Sequence, residues 1–324
     1  MNLKATDIRD IVLTGLATLA AALLAPSLAV VAVPLGALAT GWLSYRFGTR
    51  AGVVAAVIAT SLVTVAMASV SPPSAASAIF TLPALLAAGP GTVWALKRWK
   101  ITNVIAAATA VMFVALIASL SLETALAHTT IAREWDSAVR PGFEQAIKSA
   151  ASQPGGQATA KQIAAWLPYA LLLWPSSLFL ATALAAAFAV PAVSWLGRRM
   201  GAGVATLPAL ADLDLSFHLV WPSIVGLALL AVDVFGKGSS GWALAVGANL
   251  LIAMRPALFI QGMAAFASLY RRVGVGRFGR AFGFFLLGIS EAAVPSVSVV
   301  GVADLFFNLR KVPRDGAGVA PDPA

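Results

Sequence analysis

The sequence contains no cysteine and only two histidines, His128 and His218. The first absence excludes disulfides, thiolate metal sites and cysteine nucleophiles. The second leaves no histidine pair close enough in sequence to suggest a metal site. Charge is scarce too: 11% of the 324 residues are Asp, Glu, Lys or Arg, against about 25% in an ordinary soluble protein. So few charges cannot cover a water-facing surface. Catalytic motifs are also missing. There is no Gly-rich phosphate loop with its lysine, no Gly-x-Ser-x-Gly elbow and no histidine-rich zinc helix. The expectation is a chain that is not an enzyme and that carries no cofactor and no metal.

What is present is hydrocarbon. Hydrophobic residues make up 60% of the chain, and apolar runs recur along its whole length. A spanning helix needs about 20 such residues. The runs predict an all-α polytopic membrane protein with about nine hydrophobic segments, eight to ten in all, near 11–29, 30–47, 51–70, 77–96, 101–122, 163–196, 217–236, 241–270 and 278–308. The N-terminal run follows Lys4 and Arg9 but also Asp7 and Asp10, and reads as a first transmembrane helix that stays attached. The sixth, eighth and ninth runs are long. They must tilt, bend or break, and Pro175, Pro191, Pro256 and Pro295 are the obvious places.

The formal charge of +9 reads as cationic cytoplasmic loops rather than nucleic-acid binding. With the N-terminus inside, thirteen Lys and Arg fall in cytoplasmic segments and five outside. That asymmetry predicts a multi-pass membrane protein with a cytoplasmic N-terminus. Nine spans would put the basic "LRKVPR" tail outside; a hairpin bent at Pro295 would return it inside. Residues 1–311 read as one transmembrane domain and 312–324 as a flexible tail. A polar stretch, Glu123 to Gln162, predicts one or two amphipathic helices outside the membrane, broken at Pro141 and at "QPGGQ". The "RRVGVGRFGR" stretch, Arg271 to Arg280, follows a helix rather than a strand and reads as a basic loop touching anionic lipid.

Polar residues inside apolar runs are the candidate site. A charge near the bilayer centre costs at least ~2.5–3.5 kcal/mol on insertion scales and is usually paired. Arg255 and Glu291 stand out, with Asn249 and Gln261 on the helix of Arg255. At 1.5 Å per residue, Arg255 lies ~24 Å and Gln261 ~15 Å from Arg271, and Glu291 lies ~16 Å from Arg280. The two segments are consecutive and antiparallel, so an Arg255–Glu291 pair is within reach, and reversing both charges should restore what either reversal loses. Asn249, Arg255 and Gln261 are six residues apart, so on a straight helix they point three ways. Arg255 therefore has two readings. It is a counter-charge for an anionic ligand, or it is glue beside Pro256, whose missing N–H frees the Ile252 carbonyl. Asp304, near the end of the last run, reads as an acid paired with Arg310 or Lys311.

The C-terminal third carries a resemblance. "NLLIAMRPALFIQGMAAFASLYRRVG", Asn249 to Gly274, is an Asn-led span closing on Gln-Gly and a basic turn. "GVADLFFNLRK", Gly301 to Lys311, has a Gly-x-x-Asp-x-x-Phe-x-x-Arg ending, and "LPYALLL", Leu167 to Leu173, opens the span after the outer loop. These features resemble the YybS-like family of bacterial integral membrane proteins, a family grouped with the S components of energy-coupling-factor vitamin transporters. Arg255 is not part of that pattern. The resemblance implies a small-solute-binding transport component without its own ATPase, docking to a transmembrane coupling subunit that works with ATPases. Its docking face would be Ala17, Ala21 and Ala25, a small-xxx-small stripe. The segment at 123–162 would cap the pocket. The rival reading is a scaffold that organises other membrane or envelope proteins.

Overall fold

A computed structural model describes residues 33–70, 82–236 and 241–312. Every regular element among them is helical. The chain divides into two compact units, Met1–Thr206 and Leu207–Ala324. Ala17, Ala21 and Ala25, and with them the expected first span, lie outside the described residues.

The first unit holds α1 (33–47), α2 (Thr49–Val70), α3 (Leu82–Ala95), α4 (Ile101–Leu126), α5 (Ile131–Ala151), α6 (Gln157–Leu172) and α7 (Trp174–Arg199). Its core is made of small side chains. Ala108 and Met112 of α4 are buried in one cluster with Ala185, Ala186, Ala189 and Val190 of α7. Alanine lets two backbones approach closely, and close approach drives association where the surroundings are already apolar.

α5 and α6 form a hairpin. α5 starts on Thr130, whose hydroxyl accepts from the Arg133 N–H at 3.3 Å, and it runs unbroken through Pro141. The break expected there does not occur. Pro141 is exposed, so water can satisfy the carbonyl that proline leaves without a partner. The turn falls at "QPGGQ" as expected, with Gly155 at φ +74°. The Trp135 indole then donates across the hairpin to the Ala170 carbonyl at 3.0 Å.

Four helices are long and apolar enough to cross a membrane: Ile101–Leu126, Trp174–Arg199, Phe217–Phe235 and Trp242–Arg272. A fifth is gained if the bent pair near the C-terminus is one span. The described residues thus show four or five spans, and the expectation of nine segments is not confirmed among them. Thr49–Leu62 and Leu82–Ala95 are apolar but short. The run at 163–196 divides into α6 and α7 at Leu173, because Pro175 fits the first turn of a new helix.

The second unit contains α8 (Val220–Phe235), α9 (Trp242–Arg272), α10 (Arg277–Ala293) and α11 (Ser296–Phe307), preceded by a short turn of helix at Leu210–Asp212. α9 is continuous through Pro256. The last run is broken instead at Val294–Pro295, where α10 and α11 meet at 103°. At 17 and 12 residues, the arms are ~25 and ~18 Å long, short of the ~30 Å hydrocarbon layer. α9 and α11 touch through glycine. A Cβ on Gly262 would collide with the Val297 carbonyl, and one on Gly301 with the Leu258 carbonyl. α11 ends on Asn308 in the left-handed conformation at φ +45°, a position asparagine tolerates.

Candidate functional site

The break at Pro295 creates the first polar cluster. A helix that starts inside a membrane exposes backbone N–H groups that no water can satisfy. In α11 a carboxylate takes them. Glu291 Oε2 accepts from the N–H groups of Val297 and Ser298, both at 3.0 Å. Its Oε1 accepts from the Ser298 hydroxyl at 2.6 Å and from Arg255 Nε at 3.0 Å. A second guanidinium nitrogen of Arg255 donates to the Glu291 carbonyl. Glu291 thus caps one helix and neutralises a cation on another, and the helix dipole at the start of α11 favours its negative charge. Exposure is unequal: 39% of the Arg255 side chain is accessible against 11% for Glu291. The carboxylate is fixed in protein while the guanidinium keeps an open side.

The second cluster is a closed ring. Gln261 Nε2 donates to Asp304 Oδ2 at 2.7 Å and to Asp214 Oδ1 at 3.0 Å. Arg310 reaches the same two atoms, Asp304 Oδ2 from Nε at 2.8 Å and Asp214 Oδ1 from Nη2 at 3.0 Å. Its Nη1 also donates to the carbonyls of Ala211 and Leu213. Gln261 Oε1 accepts from the Leu215 N–H at 3.0 Å. Asp304 and Arg310 are almost sealed, at 0% and 2% side-chain exposure. Such a pair is tolerable only because the hydrogen bonds are complete. Beside the ring, and exposed, Arg271 holds Asp212 with two bonds of 3.0 and 2.7 Å. Those bonds hold the Asp212 carboxyl below its ordinary range.

The four ligand candidates therefore part company. Arg255 and Glu291 meet, which depth counting along two antiparallel helices allows because the long guanidinium stem covers most of their offset. Gln261 belongs to the ring, on another side of α9. Asn249 donates to the Ala245 carbonyl one turn back on its own helix, at 2.8 Å. The six-residue spacing already pointed to this separation. Asp304 is paired with Arg310 as expected; of the Gly301–Arg310 ending, Gly301 packs against α9 and Asp304 and Arg310 pair, while Phe307 is exposed. Sequence reading missed Ser298 and Asp214. The signal for Asp214 was only the pair of acids in the apolar stretch "LADLDL". Nothing comparable marks Ser298, because Glu291 reaches it only across the break.

No group of three or more His, Asp or Glu among the described residues could hold a metal ion. Comparison with known proteins adds one match. The family model described as "Predicted membrane protein (DUF2232)" matches residues 12–305. No curated protein and no solved structure matches.

Proposed function

We propose a function for this chain from a plain premise: it belongs to the DUF2232 family of predicted membrane proteins. The proposal is a small-solute-binding component of membrane transport, similar to an energy-coupling-factor S component and without its own ATPase. The observation that carries it is the Arg255–Glu291 pair set at the junction of a broken apolar helix pair, with the guanidinium open on one side. Discontinuous helices whose ends meet charged groups recur in secondary transporters, where they hold solutes and ions at mid-membrane. An ionisable pair inside a membrane is costly and usually functional. In this reading Arg255 faces an anionic solute and Glu291 holds Arg255 in place. A coupling subunit with ATPases would supply the energy, docked against Ala17, Ala21 and Ala25.

A scaffold that organises other membrane or envelope proteins is the second reading, and a separate observation favours it. The Gln261–Asp304–Arg310–Asp214 ring is densely hydrogen-bonded, with Asp304 and Arg310 sealed, and has the character of a rigid fastening. Thermal stability of the purified protein against vitamins, amino acids and anionic metabolites, wild type beside Arg255→Ala, separates the two. A compound that stabilises only the wild type supports the solute site. Compounds that stabilise both equally, or none while Arg255→Ala melts earlier, favour the scaffold.

A further inference from the structure

We propose that the Arg271–Arg280 turn and the adjoining face of α10 bind an anionic phospholipid. The turn carries four arginines in ten residues. Only one of them meets an acid there: Arg271 is taken by Asp212. Arg272 donates to the Arg310 carbonyl at 2.6 Å and Arg280 to the Val275 carbonyl at 2.8 Å, both neutral acceptors. Arg277 is exposed and makes no side-chain hydrogen bond or ion pair among the described residues. The bond from Arg272 also brings the Arg310–Lys311 turn, with its exposed lysine, to the same place. Among the described residues the result is a surface of uncompensated cations, with Arg280 held in position by its own backbone contact.

An apolar face continues directly from these cations. Phe278 is 87% exposed, Phe282 55% and Phe285 63%. Spaced at four and three residues, they share one side of α10. Guanidinium groups match phosphate oxygens in geometry and charge, and the phenyl rings suit acyl chains. A phospholipid supplies both chemistries in one molecule, whereas free phosphate supplies only the first. Near a negatively charged leaflet each such arginine is worth about fivefold in binding.

The test uses the full-length protein purified in detergent with equal amounts of phosphatidylglycerol and phosphatidylcholine of identical chains. Native mass spectrometry reads the ratio of lipids retained. The wild type should favour phosphatidylglycerol, and Arg277→Gln with Arg280→Gln should reduce that preference by about tenfold or more. Both side chains are exposed, so the double variant should melt with the wild type, and Arg277→Gln alone should show a smaller reduction. Arg133→Gln with Arg140→Gln, on α5, should leave the ratio unchanged. The proposal is overturned by an unchanged ratio in the turn variant, by an equal fall in the α5 variant, or by displacement of the lipid with millimolar inorganic phosphate.

Discussion

A single carboxylate, that of Glu291, serves two masters: it accepts from the amides that open α11 and from the guanidinium of Arg255. This changes what a charge swap can achieve. Arg255→Glu with Glu291→Arg recreates opposite charges, but arginine has no acceptor for the Val297 and Ser298 amides. The double reversal should therefore recover only part of the stability that the single reversals lose, measured by thermal melting in detergent. Full recovery would mean that the cap contributes nothing. Asp304 presents a harsher case. Removing one partner of a sealed ion pair typically costs ~3–5 kcal/mol, so Asp304→Ala should melt far below the wild type. Asp212→Asn, at an exposed pair, should barely move the melting temperature at neutral pH. The sign for Asp212 is that of a depressed acid: its contribution is present above about pH 4 and is lost as acid titrates the folded state. The Arg255–Glu291 pair was legible in the sequence as a possibility, because two opposite charges stand out in neighbouring apolar runs and the long arginine stem covers most of their depth difference. The partners of Gln261 were not, because they come from a turn and a chain ending whose paths no periodicity encodes.

At the level of elements, proline decides little by itself. Pro141, Pro191 and Pro256 sit within continuous helices, while the chain breaks at Leu173, just before Pro175, and at Pro295. What separates the last break is the compensation beside it. Glu291 lies four residues upstream and takes the amides that the break exposes. The glycine contacts are equally local. Gly301→Ala places a methyl group against the Leu258 carbonyl, with backbone on both sides and no flexible side chain to yield. It should destabilise the α9–α11 crossing by 1–3 kcal/mol, the range typical of overpacking. Gly288→Ala is the control. Its Cβ would meet nothing within 4 Å, and alanine in an exposed helix gains up to about 1 kcal/mol over glycine. Opposite shifts in melting temperature are expected from two identical substitutions.

For the molecule as a whole, apolar composition established the membrane class, while only four or five spans are shown among the described residues. Hydropathy reports which residues avoid water, and short helices with apolar cores meet that test without reaching across a bilayer. α9 is the longest of the candidate spans, at 31 residues. Because the chain has no cysteine, single cysteines can be introduced without background. Trp242→Cys and Val273→Cys, at the two exposed ends of α9, should react with an impermeant maleimide from opposite sides of sealed vesicles. Labelling from one side alone would remove α9 from the spans. The same cysteine-free background gives access to the central claim, that a water-borne solute can reach Arg255. Thiols react as thiolates, which require water. Arg255→Cys in vesicles should therefore react with a small anionic methanethiosulfonate, as Val273→Cys does, while Leu258→Cys, buried one turn away, stays protected. If, with the reagent on both sides of the membrane, Arg255→Cys is as unreactive as Leu258→Cys in a protein that remains folded, no solute reaches the pair, and the solute-binding account is contradicted.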